Sequence, residues 1–104
     1  MKEIKAYVRN IMVDDVVDTI EAVDDPPTVK VMPVHRYSWR DDDGTLQRAH
    51  EITKIEMVAP DAQARRLVDI ILEKAHTGNS GDGRIIVNTV DEVWSIQRHH
   101  CIDD

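Results

Sequence analysis

Residues 4–8 read Ile-Lys-Ala-Tyr-Val, and residues 55–59, fifty-one positions further along the chain, read Ile-Glu-Met-Val-Ala. Both stretches alternate with a period of two, which is typical of a strand with one buried face. A segment with apolar residues at helical spacing follows each of them, over about residues 13–23 and 61–76. Further strand-like stretches follow these helices, at about residues 28–35 and 84–89. The sequence therefore predicts two strand–helix–strand halves.

Two such halves joined by a loop predict an α+β, ferredoxin-like fold over residues 1–104, as a single domain. In that fold a four-stranded antiparallel sheet carries two helices on one face. The other face has no helix to cover it, so we expect either solvent or another subunit there. Pro33 lies within the second predicted strand and favours an edge position, because proline cannot donate a hydrogen bond to a neighbouring strand.

Composition limits the classes of function. The 104 residues carry 13 basic and 20 acidic side chains, for a net charge of −7. Nucleic-acid binding needs a concentrated positive field, so we expect no nucleic-acid partner. The single cysteine, Cys101, excludes an intrachain disulfide and suits a reducing compartment. No apolar run approaches the roughly 18 residues of a membrane span, and we expect a cytoplasmic protein.

A glycine-rich loop at residues 77–84, Thr-Gly-Asn-Ser-Gly-Asp-Gly-Arg, is the most informative stretch. Three glycines let the backbone turn successive N–H groups towards an anion. Arg84 adds a guanidinium group that suits phosphate. The loop follows a helix and precedes a strand, so it is neither a Walker loop nor a dinucleotide fingerprint. A helix C-cap at Gly78 followed by a turn remains the alternative on residue chemistry alone.

The pattern Thr-Gly-x-x-Gly-Asp-Gly-(Lys/Arg)-Ile resembles the loop of PII signalling proteins, the GlnB/GlnK-type regulators. Residues 1–4 and 58–61 also match that family. The resemblance implies a homotrimer, not an enzyme, that binds ADP, AMP or ATP between subunits. It also implies a regulated membrane transporter or metabolic enzyme, with bicarbonate-, nitrogen- or metal-related roles. The nucleotide-binding residues that it implies are Thr77, Gly78, Gly81, Asp82, Gly83, Arg84, Tyr7, Val58 and Ser38.

Residues 37–51 are polar, and we predict a solvent-exposed loop there, long enough to be functional. By resemblance it is the flexible loop that docks onto a target, through Tyr37, Trp39 and Arg40. Trp39 is either such an anchor or a side chain that folds back onto its own subunit. The family's modifiable tyrosines are absent, since Gln47 and Ile52 occupy the nearest positions, so we expect no uridylylation of the usual kind.

A second departure lies near the C-terminus, where residues 95–99 read Ser-Ile-Gln-Arg-His instead of the family's Arg-Ile-Arg-Thr-Gly. Two phosphate-binding arginines are therefore missing. Their loss should weaken ATP most, because the γ-phosphate carries the most charge to neutralise. We predict that ADP or AMP competes well with ATP. The same changes weaken the expectation that the protein senses 2-oxoglutarate and Mg²⁺.

His99, His100 and Cys101 form a cluster of soft metal ligands, which makes a metal-binding or small-ligand sensor the alternative function. Adjacent residues of a strand point to opposite faces, so the cluster lacks the spacing of a zinc motif. We predict a polar tail over residues 99–104, although a trimer would bring three such tails together. Trp94 is predicted to lie in the core.

Overall fold

The computed structural model describes residues 1–40, 43–78 and 81–102, without the side chains of Trp39 and of residues 47–50. A 3-10 turn at Asn10–Met12 joins the first strand to the first helix. The described strands and helices, in chain order, are β1 Lys2–Val8, α1 Val13–Glu21, β2 Lys30–Arg40, β3 Leu46–Ala59, α2 Asp61–Ala75, β4 Gly83–Thr89, β5 Val93–Ser95 and β6 His100–Ile102.

The main sheet has four strands in the order β2-β3-β1-β4, and every neighbouring pair is antiparallel. Each helix connects a central strand to an edge strand, so the chain forms two β-α-β halves. This arrangement confirms the predicted ferredoxin-like fold. The edge position of β2 also confirms what Pro33 predicted.

The core lies between the sheet and both helices. Ile4 of β1 is fully buried, and so are Ile20 of α1 and Leu67 of α2, which belong to the same apolar cluster. Both helices therefore cover the same face of the sheet. Burying a side chain of this size stabilises the fold by about 1.5–3 kcal/mol. The helical periodicity and the alternation along β1 predicted this face correctly.

The opposite face of the sheet carries paired charges. Lys5 Nζ lies 3.5 Å from Glu3 on β1, and Lys54 Nζ lies 3.3 Å from Glu56 on β3. Lys30 on β2 adds a longer contact of 3.9 Å to Glu56. These side chains, except that of Lys30, are less than one third exposed. This face is therefore a mixed surface and not a continuous apolar one.

The predicted loop at residues 37–51 is wrong for most of its length. Strands β2 and β3 pair from Lys30–Glu56 as far as Arg40–Leu46 and form a long hairpin. Asp41 and Asp42 lie outside the described residues, and Gly44 in the connection has a φ of +84°. The prediction failed because backbone pairing between two strands satisfies their polar groups whatever their side chains are. A hairpin without a buried face lacks the apolar alternation that marks a strand.

The predicted polar tail is also wrong for residues 100–102, because β6 pairs with β5 in a second, two-stranded sheet. The last two residues lie outside the described part of the chain. Trp94 on β5 is 60% exposed, which contradicts its predicted core position. The reason is that this small hairpin does not belong to the main sheet or to its apolar cluster. Neither described helix is both long and apolar enough to cross a bilayer.

Candidate functional site

A groove of about 390 Å³ runs between α2 and the edge strand β4. One part of its lining is apolar and partly open to solvent, since Leu72 is 54% and Val87 45% exposed. The glycine loop lies at one end of the groove. At that end Gly83 and Arg84 line the groove, and Arg84 is exposed. The full lining is Tyr7, Val8, Val68, Ile71, Leu72, Ala75, His76, Asp82, Gly83, Arg84, Ile85 and Val87. The groove therefore combines an apolar wall with a charged end that holds Asp82 and Arg84.

The glycine loop is closed by the carboxylate of Asp82. Its Oδ2 accepts hydrogen bonds from the backbone N–H groups of Thr77, at 2.8 Å, and of Gly78, at 2.9 Å. Its Oδ1 accepts one from the Thr77 hydroxyl and another from Arg9 Nε, at 3.2 Å. One side chain thus ties the end of α2 to the start of β4 and to the end of β1.

These donors set the charge of Asp82. Burial would raise the pKa of its carboxyl, but the hydrogen bonds from Thr77, Gly78 and Arg9 outweigh burial and lower the pKa to about 2. The carboxylate is consequently ionised at neutral and mildly acidic pH. Its negative charge faces the guanidinium of Arg9, which compensates it.

Gly83 lets the loop and β1 approach each other closely. It pairs with Val8 across the β1–β4 ladder and has a φ of +110°. A Cβ at this position would overlap the carbonyl oxygen of Tyr7 and lie 2.8 Å from its carbonyl carbon. Gly81, with a φ of +89°, is buried in the same loop. Both positions therefore require glycine, the first for space and the second for its backbone conformation.

The sequence matches the model of a known protein family. The model described as nitrogen regulatory protein P-II matches residues 1–100. The chain belongs to the P-II family. This result confirms the resemblance and makes the chain a P-II-type nitrogen regulatory signalling protein. P-II proteins are generally regulators and not enzymes; they generally form trimers that act on target proteins.

Individual relatives agree with this assignment. The nifHD-region GlnB-like protein 1 of Methanothermococcus thermolithotrophicus is 33% identical over 103 residues, which cover 93% of this chain and 94% of that protein. Nitrogen regulatory protein P-II of Azospirillum brasilense is 30% identical over 104 residues, with 93% and 92% covered. GlnK2 of Haloferax mediterranei is 32% identical over 65 residues, and the match spans 62% of this chain and about half, 52%, of GlnK2.

Three of the predicted nucleotide-binding residues, Thr77, Gly78 and Asp82, form hydrogen bonds with one another within the loop. Thr77 and Gly78 already donate their backbone N–H groups to Asp82, and the Thr77 hydroxyl donates to the same carboxylate. A phosphate oxygen is an acceptor, as the carboxylate is, so in this arrangement these groups fix the loop's shape. The predicted residues that remain at the groove for direct contact are Tyr7, Gly83 and Arg84.

Two other predicted nucleotide residues lie elsewhere in the subunit. Val58 pairs with Glu3, four positions along β1 from Tyr7, and is not part of the groove. Ser38 lies on β2, and the sheet order puts β2 at the opposite edge from β4. Within one chain, then, the structure brings Tyr7 to the glycine loop but neither Val58 nor Ser38.

The predicted partner-binding residues lie on the β2–β3 hairpin. Tyr37 is 84% exposed, and its ring meets His35 edge-on at 5.8 Å between centroids. Arg40 Nη1 donates a hydrogen bond of 3.1 Å to the carbonyl of Gly44 across the hairpin end. The side chain of Trp39 lies outside the described part of the chain. This hairpin therefore presents at least one large aromatic ring to solvent.

The predicted metal ligands do not converge within one chain. His100 and Cys101 are neighbours on β6, and His99 precedes them in a left-handed conformation with a φ of +58°. The ring Nδ1 of His100 lies 3.0 Å from the carbonyl oxygen of Cys101. Across residues 1–40, 43–78 and 81–102, no three His, Cys, Asp or Glu side chains are placed to hold a metal ion.

The sequence analysis singled out neither Arg9 nor His76 as a site residue. Arg9 follows β1 directly, and the antiparallel register places the end of β1 beside the start of β4. Neighbouring antiparallel strands bring opposite ends together, so the contact follows from the pairing of β1 with β4. His76 follows α2 directly and lines the groove. No motif marks either residue in the sequence.

Proposed function

We propose that this P-II family chain binds ADP, AMP or ATP at the glycine loop, between subunits of a homotrimer. Binding controls a target protein, either a membrane transporter or a metabolic enzyme. The observation that carries the proposal is the groove itself, in which the glycine loop and the exposed Arg84 border an apolar wall. Ligand sites are commonly concave and mostly apolar, with a few polar groups that fix the ligand's orientation.

The two ends of the groove suit the two ends of a nucleotide. A purine base is flat and largely apolar, and Leu72 and Val87 offer exposed apolar surface. Phosphate oxygens are acceptors with negative charge, which the guanidinium of Arg84 binds in a fork geometry. Asp82 does not oppose this, because Arg9 and the loop donors already hold its carboxylate.

The placement of Ser38 and Val58 supports a site shared between subunits. Neither residue reaches the groove of its own chain, and β2 and β4 are opposite edges of the sheet. If both residues contact the nucleotide, as the family resemblance implies, they do so from a second copy of the chain. A closed ring of three copies presents each edge of one subunit to the other edge of the next.

The β2–β3 hairpin is our candidate for the surface that meets the target. Tyr37 is almost fully exposed there, and large exposed aromatic rings are common anchors of protein interfaces. A nucleotide regulates such a contact only if it binds the two conformations of the hairpin with different affinities. The proposed target takes part in nitrogen, bicarbonate or metal transport or metabolism.

Calorimetric titration of AMP, ADP and ATP, with and without bicarbonate, tests the proposed function. Arg84→Ala should weaken binding at least tenfold, because it removes a charge-assisted contact. Arg65→Ala is the matched control: Arg65 is an exposed arginine of α2, in an ion pair with Asp69 and away from the groove. If Arg84→Ala binds the nucleotides as tightly as the wild type and the control do, the assignment of the phosphate site is overturned.

The alternative function, a metal or small-ligand sensor at the C-terminus, gains no support from the described residues. We therefore propose no second function.

A further inference from the structure

His76 is placed at the glycine end of the groove. It is the first residue after α2, its backbone is extended (φ −74°, ψ 127°), and its side chain is exposed. Its ring lies beside Gly78, since a Cβ built on that glycine would be 3.8 Å from His76 Cε1. The same Gly78 donates its N–H to Asp82. The imidazole thus borders the loop that we assign to phosphate binding.

The groove has few other charged or titratable side chains. Those among the described lining residues are Tyr7 of β1, Asp82 of the loop and Arg84 of β4. The pKa of Asp82 is about 2, so it remains ionised, and Arg9 compensates its charge. Phenol and guanidinium groups ordinarily titrate well above pH 8. Imidazole is the side chain that ordinarily changes its charge between pH 5 and 8.

We propose that His76 is a second cationic contact for the phosphate groups of the bound nucleotide, and that its protonation strengthens binding at acidic pH. The inference rests on the proposed nucleotide site and deepens it by naming a residue that selects for phosphorylated ligands. A protonated ring beside Gly78 adds one positive charge at the end of the groove where Gly83 and Arg84 lie. Adenosine, which has no phosphate, gains nothing from that charge.

The test compares ADP binding to the wild-type chain and to His76→Gln by calorimetry at pH 6 and pH 8. The terminal phosphate of ADP itself gains protons as the pH falls from 8 to 6. The quantity of interest is therefore the dissociation constant of the variant divided by that of the wild type at each pH. We expect a ratio near one at pH 8 and about fivefold weaker binding by the variant at pH 6, because the variant lacks the positive charge. Adenosine should give a ratio near one at both values.

Two further variants keep the test decisive. His76→Arg carries its charge at every pH, so it should bind ADP more tightly than wild type at pH 8 and lose the difference at pH 6. His100→Gln removes an exposed histidine of β6, outside the groove, and should match the wild type at both values. Their thermal unfolding midpoints should match that of the wild type, because both histidines are exposed.

The outcomes separate this inference from the proposed function. If the wild type binds ADP but the ratio for His76→Gln is the same at pH 6 and pH 8, His76 does not contact phosphate and the nucleotide site stands. A ratio that changes equally for adenosine also overturns the phosphate contact. If the wild type binds none of the three nucleotides at either pH, the proposed function fails and this inference fails with it.

Discussion

Replacing Asp82 by asparagine should destabilise the protein by about 2 kcal/mol at pH 7. The carboxylate accepts four hydrogen bonds, from Thr77, Gly78 and Arg9, which together lower its pKa from 3.8 to about 2. One pKa unit corresponds to about 1.4 kcal/mol, so a shift of this size links ionisation to roughly 2 kcal/mol of folding free energy. An amide has the same shape, but it carries no charge and presents a donor where one oxygen accepted.

The pH dependence of this effect has a definite direction. Because the pKa of Asp82 is lower in the folded than in the unfolded chain, its stabilisation is fully present above about pH 4. It is lost as the pH falls towards 2, where the folded protein also takes up the proton. The difference in unfolding free energy between wild type and Asp82→Asn should therefore be constant from pH 7 to pH 5 and shrink steadily below pH 4.

Urea unfolding at a series of pH values measures this difference directly. Protein concentration must be equal in all samples, because association shifts apparent stability. Asp69→Asn is the matched control, since Asp69 is half exposed and forms a surface ion pair with Arg65 in the i,i+4 position. The free energy of unfolding of Asp69→Asn should be lower than that of the wild type by less than about 0.5 kcal/mol. A loss for Asp82→Asn no larger than the control's, or one that stays the same down to pH 2.5, would refute the reasoning.

Three other predictions concern the loop, the ligand and the core. Gly83→Ala should lower the free energy of unfolding, measured by thermal denaturation, by about 3 kcal/mol, because the new Cβ overlaps the Tyr7 carbonyl. Gly44→Ala should lower it by only about 1 kcal/mol, because Gly44 has open space around it and only its φ is unfavourable for alanine. ATP should bind no more than tenfold tighter than ADP and AMP. A calorimetric titration in which the affinity for ATP is more than tenfold higher than the affinities for both ADP and AMP would contradict this. Leu67→Ala should lower the free energy of unfolding in urea by about 2–5 kcal/mol, because Leu67 is buried. Leu72→Ala, at an exposed position, should lower it by less than about 1 kcal/mol. Equal losses in the two variants would contradict the assigned core.

The fold was predictable because its core follows simple periodicities. The alternation at residues 4–8 places Ile4, Ala6 and Val8 on the buried face, and the structure buries all three. The α2 stripe likewise predicted the buried Leu67. In both elements the free energy comes from burying one face, so the physics and the sequence pattern coincide.

The β2–β3 hairpin was not predictable by the same reasoning. Between Tyr37 and Glu51 the strands are held by their own backbone ladder, as the pairing of Ser38 with Arg48 shows. Backbone hydrogen bonds do not depend on side-chain polarity, so a polar hairpin and a polar loop look alike in sequence. The same limitation applies to β6, where His100 and Cys101 pair with β5.

The sequence identified the glycine loop as a feature, but it did not predict the contacts that hold the loop together. The glycine pattern identified residues 77–84, and Gly83 does require glycine for space. The pattern did not reveal that Asp82 binds Thr77 and Gly78 of its own loop, or that Arg9 completes the set. The contact with Arg9 depends on the register of β1 against β4, which no local motif encodes.

A carboxylate such as that of Asp82 repels phosphate, and the chain already carries a net charge of −7. The structure removes this conflict locally. Asp82 directs both oxygens to donors of its own chain, and Arg9 supplies the compensating positive charge. In the proposed site, an anion would therefore meet the guanidinium of Arg84 without an uncompensated charge on Asp82. On this argument, Arg9→Gln should weaken nucleotide binding although Arg9 does not line the groove, because it exposes the ligand to the charge of Asp82. Calorimetry of ADP binding to Arg9→Gln and to the double variant Arg9→Gln, Asp82→Asn measures this coupling, and a double variant that binds no better than the single one contradicts it.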